Sequence, residues 1–357
     1  MLDTRFPSAI RFSAREASPS KFIVLSDKNR VKEIFIAGRQ IDARLSVVQN
    51  VKKSMSCYIQ LLRVDSWLGW LFYFALGNAL FAKPLFLPLV ILSIAFSLLT
   101  AGIFVLNQYF DREADKLNDL KKSLPIPSQN ISPKTAMIIF CFLNIVSVLI
   151  VLVTDADLLP LFLSYIALGI GYSMPPVSLK KRPILDVVAV GVGSGVLPLI
   201  IGLQVSHQLT LDLSLPWMVR RYQDVFFAAV PIFLFQSASH IFHAVGDYEG
   251  DRKGDVTTFV VKQGKQPAIK VGIALLGAAV LFPLMYGCLN LSLTPGFLSW
   301  YLYVFVFFVP VMVYFVNSLR TPSKETLRGL QSISQKVSPA VMLLLLIYVY
   351  FIRMAIL

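Results

Sequence analysis

Asn107, Asp111 and Asp115 recur at intervals of four in the stretch NQYFDREADKLN, Asn107–Asn118. In a helix that spacing stacks the three side chains on one face, about one turn apart. Two carboxylates one turn apart repel unless a cation lies between them. Oxygen ligands favour magnesium, which commonly binds through one or two carboxylates together with substrate phosphates. A second stretch, DYEGDRKGD, carries Asp247, Asp251 and Asp255 at the same interval, with Glu249 off that face. Gly246, Gly250 and Gly254 interrupt its helical reading. A calcium loop is the rival, but the EF-hand spacing and its terminal Glu are missing. Two such ladders facing each other would hold divalent cations and, through them, a diphosphate. Between them lies YSMPPVSLKKRP, Tyr172–Pro183, which offers a phenol and the cations Lys180, Lys181 and Arg182. Lys and Arg clamp transferring or departing phosphates. Lys181, Arg182 and Arg63 serve equally as basic anchors at a membrane edge. His240 and His243 stand close before Asp247, where acceptor binding, proton transfer, metal ligation or plain packing are all open. His207 reads as an outer-loop residue.

The elements that must position these groups are apolar. The chain has 357 residues, of which 56% are hydrophobic and 15% charged, and a mean hydropathy of +0.69. A soluble domain carries nearer a quarter charged residues, so the composition points to a polytopic membrane protein. Nine apolar runs follow one another: Ser66–Ala82, Leu85–Leu106, Thr135–Val153, Leu158–Ser173, Leu185–Val205, Val225–Val245, Ala268–Cys288, Phe297–Val316 and Ser338–Leu357. Most approach the ~20 residues needed to cross a bilayer. The acidic stretches begin where the second and sixth runs end.

The net charge of +13 would suggest nucleic acid in a soluble protein, but here the loops account for it. With the N-terminus cytoplasmic, the inner loops hold Arg112, Lys116, Lys121, Lys122 and Lys134, then Lys180, Lys181 and Arg182, then Arg252, Lys253, Lys262 and Lys265, then Arg320, Lys324, Arg328 and Lys336. The outer loops hold only Lys83, Arg220 and Arg221. That bias obeys the positive-inside rule and puts every polar motif on the cytoplasmic side. Met1–Lys53 has no signal-peptide core and reads as a basic cytoplasmic tail. From Ile41 to Leu62 apolar residues recur at steps of three and four, the pattern of an amphipathic helix lying on the membrane surface. Residues 1–62 therefore form a tail and interfacial helix, and 63–357 the membrane domain. The three cysteines, Cys57, Cys141 and Cys288, suit neither a disulfide framework nor a zinc pattern. Gly191, Gly193 and Gly195 lie within an apolar run and suit close helix packing rather than a nucleotide loop. Pro231 reads as a kink.

On these residues the chain resembles the UbiA superfamily of intramembrane prenyltransferases. NQYFDREAD resembles that family's first aspartate motif, with Gln108 in place of its first Asp. DYEGDRKGD resembles the second motif, extended to Asp255, and YSMPPVSLKKRPILD resembles the Tyr/Lys stretch between them. RVDSW at Arg63–Trp67 resembles the start of the first helix. The resemblance implies an all-α membrane protein, with nine transmembrane helices around a central cavity and a cytoplasmic cap of motif-bearing loops. It implies that Asp111, Asp115, Asp247 and Asp251 are catalytic and, with Asp255, hold magnesium. It further implies that Asn107, Arg63, Tyr172 and Lys180 bind the diphosphate, and that Gln108 leaves one expected carboxylate absent.

The expected reaction is magnesium-dependent transfer of a prenyl group from an allylic prenyl diphosphate. The acceptor is hydrophobic or aromatic and lies among membrane lipid. Within the family it is a quinone-ring precursor, a tetrapyrrole, a glycerol phosphate lipid or a carotenoid end. Two alternatives use the same charges differently. A terpene cyclase of this type ionises the diphosphate without an acceptor. An ion or phosphate transporter would need matching acidic ladders near the outer face, and Asp155, Asp157, Asp212 and Asp224 lack that spacing.

Overall fold

The computed structural model describes residues 55–81, 86–119, 121–205 and 215–290, and contains no strand among them. Residues 55–62 are helical. Ten α-helices follow: α1 (Val64–Trp67), α2 (Trp70–Phe81), α3 (Phe86–Lys116), α4 (Pro133–Thr154), α5 (Leu159–Ser173), α6 (Leu185–Gly191), α7 (Leu197–Val205), α8 (Leu215–Lys253), α9 (Phe259–Gln263) and α10 (Lys265–Asn290). Among the described residues, four helical segments are long and apolar enough to cross a membrane: Leu87–Lys116, Pro133–Thr154, Ala156–Ser173 and Leu185–Val205. The eighth and ninth apolar runs, and the tail up to residue 54, lie outside the described residues.

Local chemistry explains where the helices start and stop. Ser132 accepts a hydrogen bond from the Thr135 amide and Pro133 takes the first position of α4, both favoured at a helix N-terminus. Thr258 caps α9 in the same way, and Gly264, at φ 84°, ends it. The first apolar run is not one helix but breaks at Leu68–Gly69, between α1 and α2. The fifth run is also divided, by a π-helical turn over Val192–Val196 that holds two of the three GVGSG glycines. A Cβ on Gly191 would lie 2.4 Å from the Ser237 hydroxyl, and one on Gly195 2.7 Å from Ile232. Close packing of this stretch on α8 is therefore the reason for glycine there.

Two helices run well beyond the length of a bilayer span. α3 has 31 residues and α8 has 39, with Pro231 inside it. Asp111 and Asp115 lie in the last turns of α3, and Asp247 and Asp251 in the last turns of α8, rather than in separate loops. α3 packs on α4 and α5, α2 on α7, and α8 on α6 and α10. One core cluster joins Phe74, Leu92, Phe96, Leu99, Phe162 and Tyr165. Phe96 lies 5.5 Å from the Phe74 ring and 5.2 Å from the Tyr165 ring. A second cluster, including Val187, Ile241, Val245 and Val260, locks α6, α8, α9 and α10 together. The outer face of α4 exposes Ile138, Phe142, Ile145, Leu149 and Val153, an apolar stripe at helical spacing.

Candidate active site

The ends of α3, α5 and α8 and the turn after α5 surround one cavity of about 320 Å³. Its polar end is lined by Asn107, Asp111 and Asp115 from α3, and by Asp247 and Asp251 from α8. Arg63, Tyr172 and Lys180 line it too. All eight of these predicted residues thus meet in one place, although the chain between them runs through eight helices, α1 to α8.

The two acidic stretches differ in how their charges are balanced. On α3, the Asn107 amide donates to Asp111 at 2.9 Å and to the Ser173 hydroxyl at 3.3 Å. Asp111 is paired with Lys180. Lys180 sits in a single 3-10 turn, Leu179–Lys181, entered through Ser178 at φ 36°. A left-handed non-glycine residue costs ~1–3 kcal/mol and is characteristic of binding loops; here it turns the lysine inward, leaving it 5% exposed. Burial, aided by Lys181, pulls the Lys180 ammonium down to about 7, against the pull of Asp251. The pairing with Asp111 also favours its charged form.

Lys121 joins the stretches. Its ammonium lies 2.8 Å from Asp247 and 4.0 Å from Asp115. Burial works against its charge, but Asp247 and Asp115 outweigh that and hold it above the usual lysine value. Burial likewise works against the Asp247 carboxylate. Lys121, together with a 3.2 Å hydrogen bond donated by Asn118, holds it below the usual carboxylate range. Asp251 has no such partner at hand. Burial pushes its carboxyl up to about 7, with Asp247 and Asp115 adding to the rise and Lys121 opposing it.

The glycines of the second stretch have a packing role. A Cβ on Gly250 would lie 2.5 Å from the Asn118 side chain, and one on Gly254 2.6 Å from the Ala114 Cβ. Without side chains, the end of α8 can lie directly against the end of α3, which brings Asp247 to Asn118 and Lys121.

Three expectations change. The ladder Asp247–Asp251–Asp255 is cut short: α8 ends at Lys253, and Asp255 follows in a turn, at φ 54° and exposed. It is not among the cavity-lining residues. Gln108 is not a vacancy in the acidic face. One residue on from Asn107, it points ~100° around the helix, is fully buried, and donates to the Leu61 carbonyl at 2.7 Å. It fastens the segment that carries Arg63 to α3. Lys121 is the third change: it reads in sequence as one of many inner-loop cations, yet it is the group between the two stretches.

The donor set suits a divalent cation on one condition. Among the described residues no three acidic or imidazole side chains form a group able to hold an ion by themselves. Carboxylate oxygens are nevertheless the right ligands for magnesium, which needs only one or two of them when a substrate supplies phosphate oxygens. The half-buried and weakly compensated Asp251 gives the site acid to spare. Away from the charges the walls are Trp70, Ile103, Phe104, Tyr165 and Leu168. The Trp70 and Phe104 rings lie 5.4 Å apart, with the Arg63 guanidinium 5.6 Å from the Phe104 centroid. The cavity can therefore hold an anionic head and an apolar tail.

The sequence profile of the UbiA prenyltransferase family matches residues 67–330. Over 243 residues the chain is 26% identical to the digeranylgeranylglyceryl phosphate synthase of Sulfolobus acidocaldarius, across 65% of this chain and 79% of that protein. A shorter match is 41% identical over 80 residues to a 4-hydroxybenzoate octaprenyltransferase of Marinomonas sp.; it spans 22% of this chain and 27% of that protein. The fold is similar to that of a UbiA homologue from Archaeoglobus fulgidus, bound to DMAPP and Mg2+. The TM-score is 0.66 at 20% identity, across 82% of this chain and 97% of that one.

Proposed function

Because the chain belongs to the UbiA prenyltransferase family, we propose that it transfers a prenyl group from an allylic prenyl diphosphate to a lipophilic or aromatic acceptor within the membrane. The observation that carries this reading is the convergence of Asp111, Asp115, Asp247, Asp251 and Lys180 at one end of a cavity whose other walls are apolar and aromatic. Such a site fits a diphosphate joined to a hydrocarbon, and the relative from Archaeoglobus fulgidus was solved with such a compound.

In this reading Lys180, Lys121 and Arg63 face the diphosphate, and Asn107 and Tyr172 orient it. Asp111, Asp115, Asp247 and Asp251 are the residues that would hold magnesium. When bound, the metal supplies neutralisation of the diphosphate as a leaving group. The allylic carbon–oxygen bond then breaks, and its electron pair leaves with the diphosphate. Trp70, Phe104 and Tyr165 offer ring faces to the prenyl cation, a contribution of ~0.5–2 kcal/mol per well-placed ring. The acceptor attacks the allylic carbon and a proton is lost. The apolar walls keep water from capturing the cation first.

The same proposal covers the topology. The loop charges support nine spans, a tail over 1–62, a membrane domain over 63–357, and motif-bearing segments that cap the cavity on the cytoplasmic side. The exposed apolar stripe of α4 would then face lipid. Asp255 is left out of the metal-holding set because of its place beyond α8. The direct test is to reconstitute the full chain in lipid nanodiscs with magnesium, allylic diphosphates of graded length and membrane extract. The reading expects magnesium-dependent diphosphate release coupled to a prenylated product found by mass. Release that yields a cyclic hydrocarbon without any acceptor would assign cyclase chemistry instead.

A further inference from the structure

We propose that His240 takes up the proton that the acceptor loses as the new bond to the prenyl group forms, with Asp186 holding the imidazole in place. The acceptor is accordingly a molecule with a removable proton at the reacting atom, a hydroxyl or a ring carbon of an electron-rich arene. This rests on the prenyl-transfer reading above.

Asp186 is fully buried in the first turn of α6, just after Ile184 at φ 78°. Its Oδ2 accepts a hydrogen bond from the Phe259 amide at 2.8 Å and lies 3.7 Å from Nε2 of His240. The Oδ1 atom and Nε2 of His240 are both buried and have no hydrogen-bond partner. A buried carboxylate is costly unless a charge or donor faces it. His240 is the group that faces this one, and a protonated imidazole would satisfy it. Asp186 stands behind the cavity wall, whereas His240 lines the cavity. With Nε2 turned to the carboxylate, Nδ1 is left to receive the proton.

Position along α8 supports the same role. His240 precedes Asp247 by two turns, ~10 Å along the helix axis. It therefore lies beyond the carboxylates that face the diphosphate, on the side where the allylic carbon and acceptor must meet. Ser194, Gln236 and Ser239 line the cavity beside it, neutral groups suited to orienting a polar acceptor. His243, one turn nearer Asp247, is itself engaged in an interaction.

The step balances. The carbon–oxygen pair leaves with the diphosphate, a lone pair or ring π pair of the acceptor forms the bond to the allylic carbon, and the proton passes to Nδ1 of His240. Asp186 offsets the imidazolium charge until the proton passes to water or to the released diphosphate. Asp186 on α6 lies against His240 and His243 acts on it through its charge, while Arg63, Tyr172, Asp247 and Asp251 line the same cavity. On α9 and α10, Lys262 and Lys270 are exposed and Lys265 pairs with Glu249.

The test compares wild type, His240→Gln and Asp186→Asn in nanodiscs with magnesium and labelled geranyl diphosphate. A hydroxybenzoate, a long-chain alcohol and no acceptor are the three arms. Glutamine keeps a donor for Asp186 but takes no proton. The expected result for His240→Gln is diphosphate release within about threefold of wild type, a coupled product reduced about 100-fold, a gain typical of general base catalysis, and prenyl alcohol in its place. Asp186→Asn should likewise lower the coupled product while leaving diphosphate release within about threefold, because the imidazole loses the carboxylate that holds it; a purely structural role would lower both signals together. Coupled product from His240→Gln at near wild-type rate, or release and coupled product that fall together in Asp186→Asn, overturns the assignment of the base. Absence of diphosphate release from wild type with every donor overturns the prenyl-transfer reading itself.

Discussion

The ends of α3 and α8 are alike in sequence and unlike in state. Each closes a long helix with carboxylates one turn apart, and each faces the same cavity. On α3, Asp111 is paired with Lys180 and tied to Asn107. On α8, Asp247 is satisfied by Lys121 and Asn118, while Asp251 is held near neutrality at about 7. Each stretch thus pairs one carboxylate with a cation and leaves one that burial raises above the usual carboxylate range, Asp115 on α3 and Asp251 on α8, and the rise is the larger at Asp251. In the proposed reaction the difference would divide the work: α3 and Lys180 fix the geometry, and α8 adapts its charge when metal and diphosphate bind.

The largest effect should come from removing a carboxylate of either helix. Asp111→Asn and Asp247→Asn should each lower magnesium-dependent diphosphate release by about 100–1000-fold, the scale of losing one aligned electrostatic group. Asp255→Ala, beyond the end of α8, should stay within about threefold of wild type, as distant surface changes do. Equal losses for Asp255 and Asp247 would erase the boundary drawn at Lys253.

Gly250→Val tests whether the two helices must touch. Its side chain would displace Asn118, and misplacing a site by ~1 Å can cost about 100-fold. Gly277→Ala, where a Cβ meets nothing within 4 Å, is the control and should leave turnover unchanged. A Gly250→Val protein with full turnover would show that the close approach is incidental.

Lys121→Met should raise the affinity of the donor-free protein for Mn2+ by about tenfold, the equivalent of ~1.4 kcal/mol, because Asp115 and Asp247 would lose the cation they share. Electron paramagnetic resonance titration reads free Mn2+ directly. Unchanged binding would mean that Lys121 does not compete for the metal position.

The smallest effect is on stability. Burial holds the Asp251 carboxyl up to about 7 in the folded chain, above the ordinary carboxylate value of about 4. Between those values the folded state binds the extra proton, so stability falls as pH rises from about 4 to 7. Thermal unfolding without metal should follow that slope, and Asp251→Asn should flatten it. A wild-type curve that rises over the same interval would contradict the partnerless state of Asp251.

Much of this site is legible in the chain, for definite reasons. Asn107, Asp111 and Asp115 could be placed together because a helix runs through the end of the apolar run without a break, so a spacing of four has one meaning. Lys180 could be singled out because its phenol-and-cation stretch stands apart from the other loops. Lys121 could not, since a neighbouring Lys122 has the same residue type and satisfies the same charge bias. Only the turn after α3 decides which lysine points inward. The role of Gln108 depends on the Leu61 carbonyl, a partner 47 residues away with no signature of its own. Gly250 and Gly254 look like interruptions of a helix because their purpose is interhelical: they make room for the end of α3, not for their own helix. Asp255 was placed on the ladder by spacing alone, and the turn at Gly254 removes it.

The central claim is that both helix ends act on one diphosphate, and it is tested most directly by turnover of a labelled allylic diphosphate. The full chain in nanodiscs, with magnesium and an acceptor-containing membrane extract, should release diphosphate and form a prenylated product. Asp111→Asn and Asp247→Asn should each abolish both signals, and the double variant should be no worse than either. Near-normal release from either single variant, or no release from wild type with any chain length, would contradict the shared site.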